Sequence, residues 1–60
     1  MNNIKIGNVC RVISAHSHTP PQLGDLVLIT RKVIDLVLEG QNLRTNKTHH
    51  YMYSELEIIA

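Results

Sequence analysis

Phenylalanine and tryptophan are absent from this chain of 60 residues, and its only aromatic side chains other than histidine are Tyr51 and Tyr53. A core must therefore be assembled from Val, Ile and Leu, side chains that favour strands. Cysteine occurs once, at Cys10, so no internal disulfide can form. No apolar run approaches the ~18 residues of a membrane-crossing helix, and no secretory signal pattern is present. A reducing cytoplasm is the expected compartment, and a membrane is not an expected partner. Neither sign of charge dominates: six Lys and Arg against five Asp and Glu leave a formal net charge of +1. That is too little for long-range attraction to nucleic acid or anionic lipid, so any basic surface must be local.

Apolar residues make up 43% of the chain and charged residues 18%, the balance of a folded domain. The length allows one domain spanning residues 1–60. At this size folding buries only about 60% of the surface that the unfolded chain exposes, so stability is modest. Metals and oligomerisation are the usual supplements for small cores without disulfides.

The first apolar stretch, Ile4 to Ile13, reads as a strand with Cys10 and Val12 facing one way and Val9, Arg11 and Ile13 the other. Ser14 to Gly24 is polar and carries Pro20 and Pro21, which cannot donate ladder hydrogen bonds, so it reads as a long loop. After the Gly24-Asp25 turn signal, Leu26 to Thr30 is the clearest strand, ended by Arg31 and Lys32. Val33 to Leu38 continues as another. A helix over Leu26 to Leu38, with Asp25 as its cap, competes with these two strands but holds too many β-branched residues to be comfortable. Gln41 to Lys47 contains Asn42 and Asn46 and reads as a turn into a strand from Thr48 to Tyr53. Ser54 to Leu56 suits a single helical turn capped by Ser54, and Glu57 to Ile59 closes the chain as a last short strand. The expected fold is all-β, a five-stranded small barrel with one helical turn before the last strand. Its expected inward set is Cys10, Val12, Val27, Ile29, Leu36 and Leu38. Val9, Ile13, Leu26, Leu28, Val33 and Val37 fall on the opposite face. That is more aliphatic surface than one tiny barrel buries, and it points to a homo-oligomer.

Three stretches carry a family resemblance: Ile6-Gly7-Asn8 leading into Cys10 to Ile13, Leu23-Gly24-Asp25 leading into Leu26 to Thr30, and Tyr51 to Ile59. Together they resemble the Src-homology-3-like barrels of short bacterial and phage proteins. In those barrels a Gly-Asp or Gly-Asn pair opens each of the first two strands, a long loop joins them, and a helical turn precedes the last strand. The resemblance implies a phage-encoded modulator or inhibitor of a host protein acting in the host cytoplasm. The RNA-associated KOW motif has related architecture, but this chain lacks its glycine after Thr30.

Four histidines fall in two pairs, His16-x-His18 and His49-His50. Imidazoles two apart in extended chain share a side, as a zinc ion requires, but adjacent His49 and His50 point to opposite faces, and Cys-x-x-Cys is missing. Solvated histidines are the better reading, so no metal and no cofactor is expected. Cys10 reads as a buried structural thiol. Nucleophile elbows, phosphate loops and paired carboxylates are missing, so the chain is not expected to be an enzyme. Two binding surfaces remain. His16, His18, Pro20 and Pro21 of the loop, with Tyr51 and Tyr53 on one strand face, would line a shallow groove for another protein, although an aromatic in so small a domain more often closes the core with its hydroxyl at the rim. Arg31, Lys32, Arg44 and Lys47, with His49 and His50, would gather at one end of the barrel as a basic patch for nucleic acid. The first is the leading expectation, a non-enzymatic protein-binding module, and the second is its alternative.

Overall fold

The computed structural model describes residues 4–14 and 22–60. Five strands follow in order: β1 (Val9–Val12), β2 (Leu26–Ile34), β3 (Val37–Asn42), β4 (Lys47–Met52) and β5 (Leu56–Ile58), with a 3-10 turn, Tyr53–Glu55, between the last two. All neighbours are antiparallel and form one sheet in the order β4-β3-β2-β1-β5. The fold is all-β, as the β-branched composition demands. Among the described residues no ladder joins the two edges, β4 and β5.

Period-two burial places the core on one side. Cys10, Val12, Val27, Ile29, Leu38, Tyr51 and Leu56 are buried together with Ile4, and Tyr53 packs against them. At ~25 cal/mol per Å², aliphatic burial of this kind is the main driving term. Before β1 the chain turns at Gly7, whose φ of 96° suits glycine. It then joins the sheet, with Gly7 N–H donating to Ile29 O at 2.8 Å and Ile29 N–H to Asn8 O at 2.9 Å. Gly40 lies on the buried face of β3, where a Cβ would run into Val27 Cγ1.

Three expectations need correction. Arg31 and Lys32 do not end a strand: β2 runs through them to Ile34, and the break falls four residues later, at Asp35-Leu36. The ladder absorbs the extra length through register shifts between Ile29 and Arg31 and between Lys32 and Ile34. Leu36, expected inside, therefore sits on a turn at 63% exposure. The helical turn begins at Tyr53 instead of Ser54, because Glu55 reaches back to accept the Met52 N–H at 2.9 Å. Tyr53 is thereby taken out of the strand that was to carry it beside Tyr51. The first strand is also shorter than Ile4 to Ile13, since the Gly7 turn divides it.

Candidate functional site

Where β2 begins and β3 ends, three buried polar side chains, Asp25, Asn42 and Tyr51, meet inside the fold and the exposed Arg44 closes over them. Val27 of β2 pairs with Asn42 of β3, so Asn42 comes beside Asp25, just ahead of β2. Asn42 is fully buried. Its Nδ2 donates to Asp25 Oδ2 at 2.9 Å and to Tyr51 Oη at 3.3 Å. Its Oδ1 accepts the backbone N–H groups of Arg44 at 2.9 Å and Thr45 at 3.1 Å, holding the turn into β4. Asn46 completes that turn with a φ of 65°. Asp25 is also buried and accepts from Arg44 Nε at 2.8 Å and from the Gln22 N–H at 2.8 Å. The Arg44 guanidinium, then the Asn42 amide and Gln22 N–H, hold the Asp25 carboxyl well below the usual carboxylate range, against the opposing effect of burial. Asp25 in turn raises the Arg44 pKa, and burial raises that of the Tyr51 phenol. A carboxylate so stabilised is a weak base, and the cluster acts as a structural clasp joining β2, the turn and β4.

That clasp changes the meaning of several expected site residues. Tyr51, a candidate for the groove, instead closes the core as aromatics in small domains more often do: it is 3% exposed. Arg44, expected in a basic patch, is committed to Asp25. Arg31 is committed to Glu39 at 2.7 Å, and His50 stands 3.7 Å from the same carboxylate. Arg31, first among the causes, lowers the Glu39 pKa. The register also separates the cations. Lys32 lies opposite Leu38 and Lys47 opposite Asn42, so about 13 Å of β3 divides them at ~3.3 Å per residue. Arg31 and Lys32 sit at one end of the sheet and Arg44 and Lys47 at the other, because successive hairpins alternate ends. His49 shares the inner side with Tyr51, its ring 6.2 Å away edge-on at 86°, with a buried Nε2 that has no hydrogen-bond partner among the described residues. His50 is exposed on the opposite side. Among the described residues no group of three His, Cys, Asp or Glu gathers to hold a metal. His16, His18, Pro20 and Pro21 lie outside the described residues.

An apolar surface collects where β2 turns into β3. Ile34 and Leu36 are exposed at 69% and 63%. Val37 pairs with Met52, and the Tyr53 N–H donates to Leu36 O at 3.2 Å, bringing the 3-10 turn against the hairpin tip. Leu36, Met52, Tyr53 and Ser54 line an open depression of about 210 Å³. Tyr53 is thus the expected groove residue that stays on a concave surface, half-buried against the core. A second apolar strip crosses the outer face, where Val9 pairs with Leu28 and Leu26 lies two residues on; Arg11 and Glu57 flank it, 3.7 Å apart.

Neither the clasp nor the depression was legible from sequence. Asp25 and Asn42 read as turn formers, a role that each also performs, and nothing in their spacing shows that they face one another across a ladder. Leu36 read as core because the turn Asp35-Leu36 holds neither Gly, Pro nor Asn. No family model, no curated protein and no solved structure matches the chain.

Proposed function

We propose that this chain is a non-enzymatic protein-binding module that takes its partner in the depression formed by Leu36, Met52, Tyr53 and Ser54. The observation that carries this reading is the exposure of Ile34 and Leu36 beside that hollow. Among the exposed large apolar side chains these two stand together at one hairpin tip, where burial against a partner would return ~25 cal/mol per Å². The occupant is an extended protein segment presenting one aliphatic or aromatic side chain, with the Ser54 hydroxyl available to its main chain. The strand order β4-β3-β2-β1-β5, with one helical turn before β5, supports a Src-homology-3-like barrel as the finer description of the fold. With that resemblance come a host protein as partner, a phage as source and the host cytoplasm as compartment. The nucleic-acid reading is the weaker one, because the cations are divided between two ends of the sheet and both arginines are paired with carboxylates.

The test is capture of partners from bacterial lysate under nuclease by the natural chain, by Leu36→Asp and by a Lys32→Gln, Lys47→Gln variant. A stoichiometric protein retained by the natural chain and the lysine variant but lost by Leu36→Asp supports the reading. Partners lost to nuclease or to the lysine substitutions overturn it in favour of nucleic acid.

A further inference from the structure

We propose that the open edge of β4 pairs antiparallel with β4 of a second copy of this chain. Strand hydrogen bonding alternates sides, and this fixes what the edge offers. The Tyr53 N–H donates to Leu36 O of the β3 side. In the observed register the main-chain groups of Lys47, His49 and Tyr51 therefore also point toward β3, and those of Thr48, His50 and Met52 point away from it. The Met52 N–H is already taken by the Glu55 carboxylate at 2.9 Å. Among the described residues the open donors are those of Thr48 and His50, each with its own carbonyl beside it.

These groups complement themselves. About a two-fold axis at His49, Thr48 of one copy lies opposite His50 of the second, and the reverse holds on the other side of the axis. Each such narrow pair exchanges both of its main-chain hydrogen bonds. Opposed residues then share a face, as a continuous sheet requires. The pairing uses the free groups of Thr48 and His50 and makes no demand on the Met52 N–H. A foreign strand would need to supply the same spacing, whereas a second copy has it by construction. The other edge is a poorer template: β5 has three residues, and its Leu56 N–H donates to Tyr53 O. Natural sheets blunt open edges with proline, bulges or inward charges, and of these β4 carries only Lys47, at its start. The contact lies on main chain and leaves the depression at Leu36 free, so it does not rest on the heterologous partner.

Analytical ultracentrifugation of the full chain from micromolar to millimolar concentration tests the pairing, together with amide hydrogen exchange at both extremes. The mass is expected to approach twice the 6.8 kDa of one chain. The Thr48 and His50 amides are expected to be protected in the concentrated sample and to exchange freely in the dilute one. Thr48→Pro removes a donor that finds no partner among the described residues, a substitution edge strands tolerate. It should raise the dimer dissociation constant about tenfold or more. A chain monomeric at millimolar concentration overturns the pairing. So does a dimer whose Thr48 and His50 amides stay unprotected, which places the contact elsewhere, such as the outer strip around Leu28. Should Thr48→Pro fail to fold, the exchange comparison on the natural chain decides alone. Capture of the lysate partner by a natural chain that stays monomeric even at millimolar concentration would sink the edge pairing and leave the Leu36 site standing.

Discussion

Replacing Asn42 with alanine removes a side chain that binds the core and the turn into β4 at once. Its amide makes four hydrogen bonds, two with buried partners and two with turn N–H groups. The turn donors of Arg44 and Thr45 lie near the surface and recover water, so their loss is small. The bonds to Asp25 and Tyr51 are inside, where each contributes ~0.5–1.5 kcal/mol and an unsatisfied buried group costs ~1–3 kcal/mol. The expected loss is about 2–4 kcal/mol. A 60-residue domain holds only ~3–9 kcal/mol in total, so the variant should be close to unfolding at room temperature. Urea titration followed by circular dichroism measures it. With a slope near ~1 kcal/mol per molar urea, the midpoint should fall by about 2–4 M. A loss under ~0.5 kcal/mol, the level of an ordinary surface substitution, would refute the clasp. Asn42→Asp sharpens the test. It keeps the shape but sets a second carboxyl within 2.9 Å of Asp25. One of the two must hold a proton, and its pKa rises on folding. A raised folded-state pKa gives stability that is present at low pH and lost as pH climbs through it, so this variant should weaken steadily toward neutrality.

The natural chain should do the reverse in acid. The Asp25 pKa is depressed on folding from the ordinary 3.8, so its contribution is complete above about pH 4 and is lost as pH falls below that. Asp25→Asn should flatten the acid limb of stability against pH, and an unchanged limb would assign acid unfolding to other carboxylates, Glu39 first among them. Gly40→Ala should cost about 1–3 kcal/mol by thermal melting, since its Cβ meets Val27 Cγ1 and comes 3.2 Å from Leu28 O; a neutral result would mean that β2 and β3 can separate freely. Burial raises the pKa of the Cys10 thiol, so a thiol reagent should modify native protein far more slowly than urea-unfolded protein, and equal rates would place Cys10 at the surface.

The residues that announced themselves were those with one physical role. Cys10, Val12, Val27, Ile29 and Leu38 alternate with polar or outward neighbours, and their burial follows from the pleat. Residues with two compatible roles misled. Arg44 reads as a free cation until the β2–β3 register brings Asn42, and the turn after it, beside Asp25. Tyr51 and Tyr53 share a face only if the strand continues, and a carboxylate three residues on from Met52 ends it. The division of the cations likewise follows from chain order, since the β2–β3 and β3–β4 hairpins of a meander lie at opposite ends of the sheet wherever each turn falls.

The Val9 N–H donates to Ala60 O at 2.8 Å, and β1 and β5 lie side by side in opposite directions. Tension applied across these two positions would therefore act at right angles to the strands, along the ladder bonds, and open them one after another like the teeth of a zipper. An arrangement in which the loaded strands slide past each other must break its bonds together and resists far more. Tethered from residues 9 and 60, this fold should peel at low force, shedding β5 first and leaving the β2–β3–β4 meander with its Asn42 clasp as the last structure to yield.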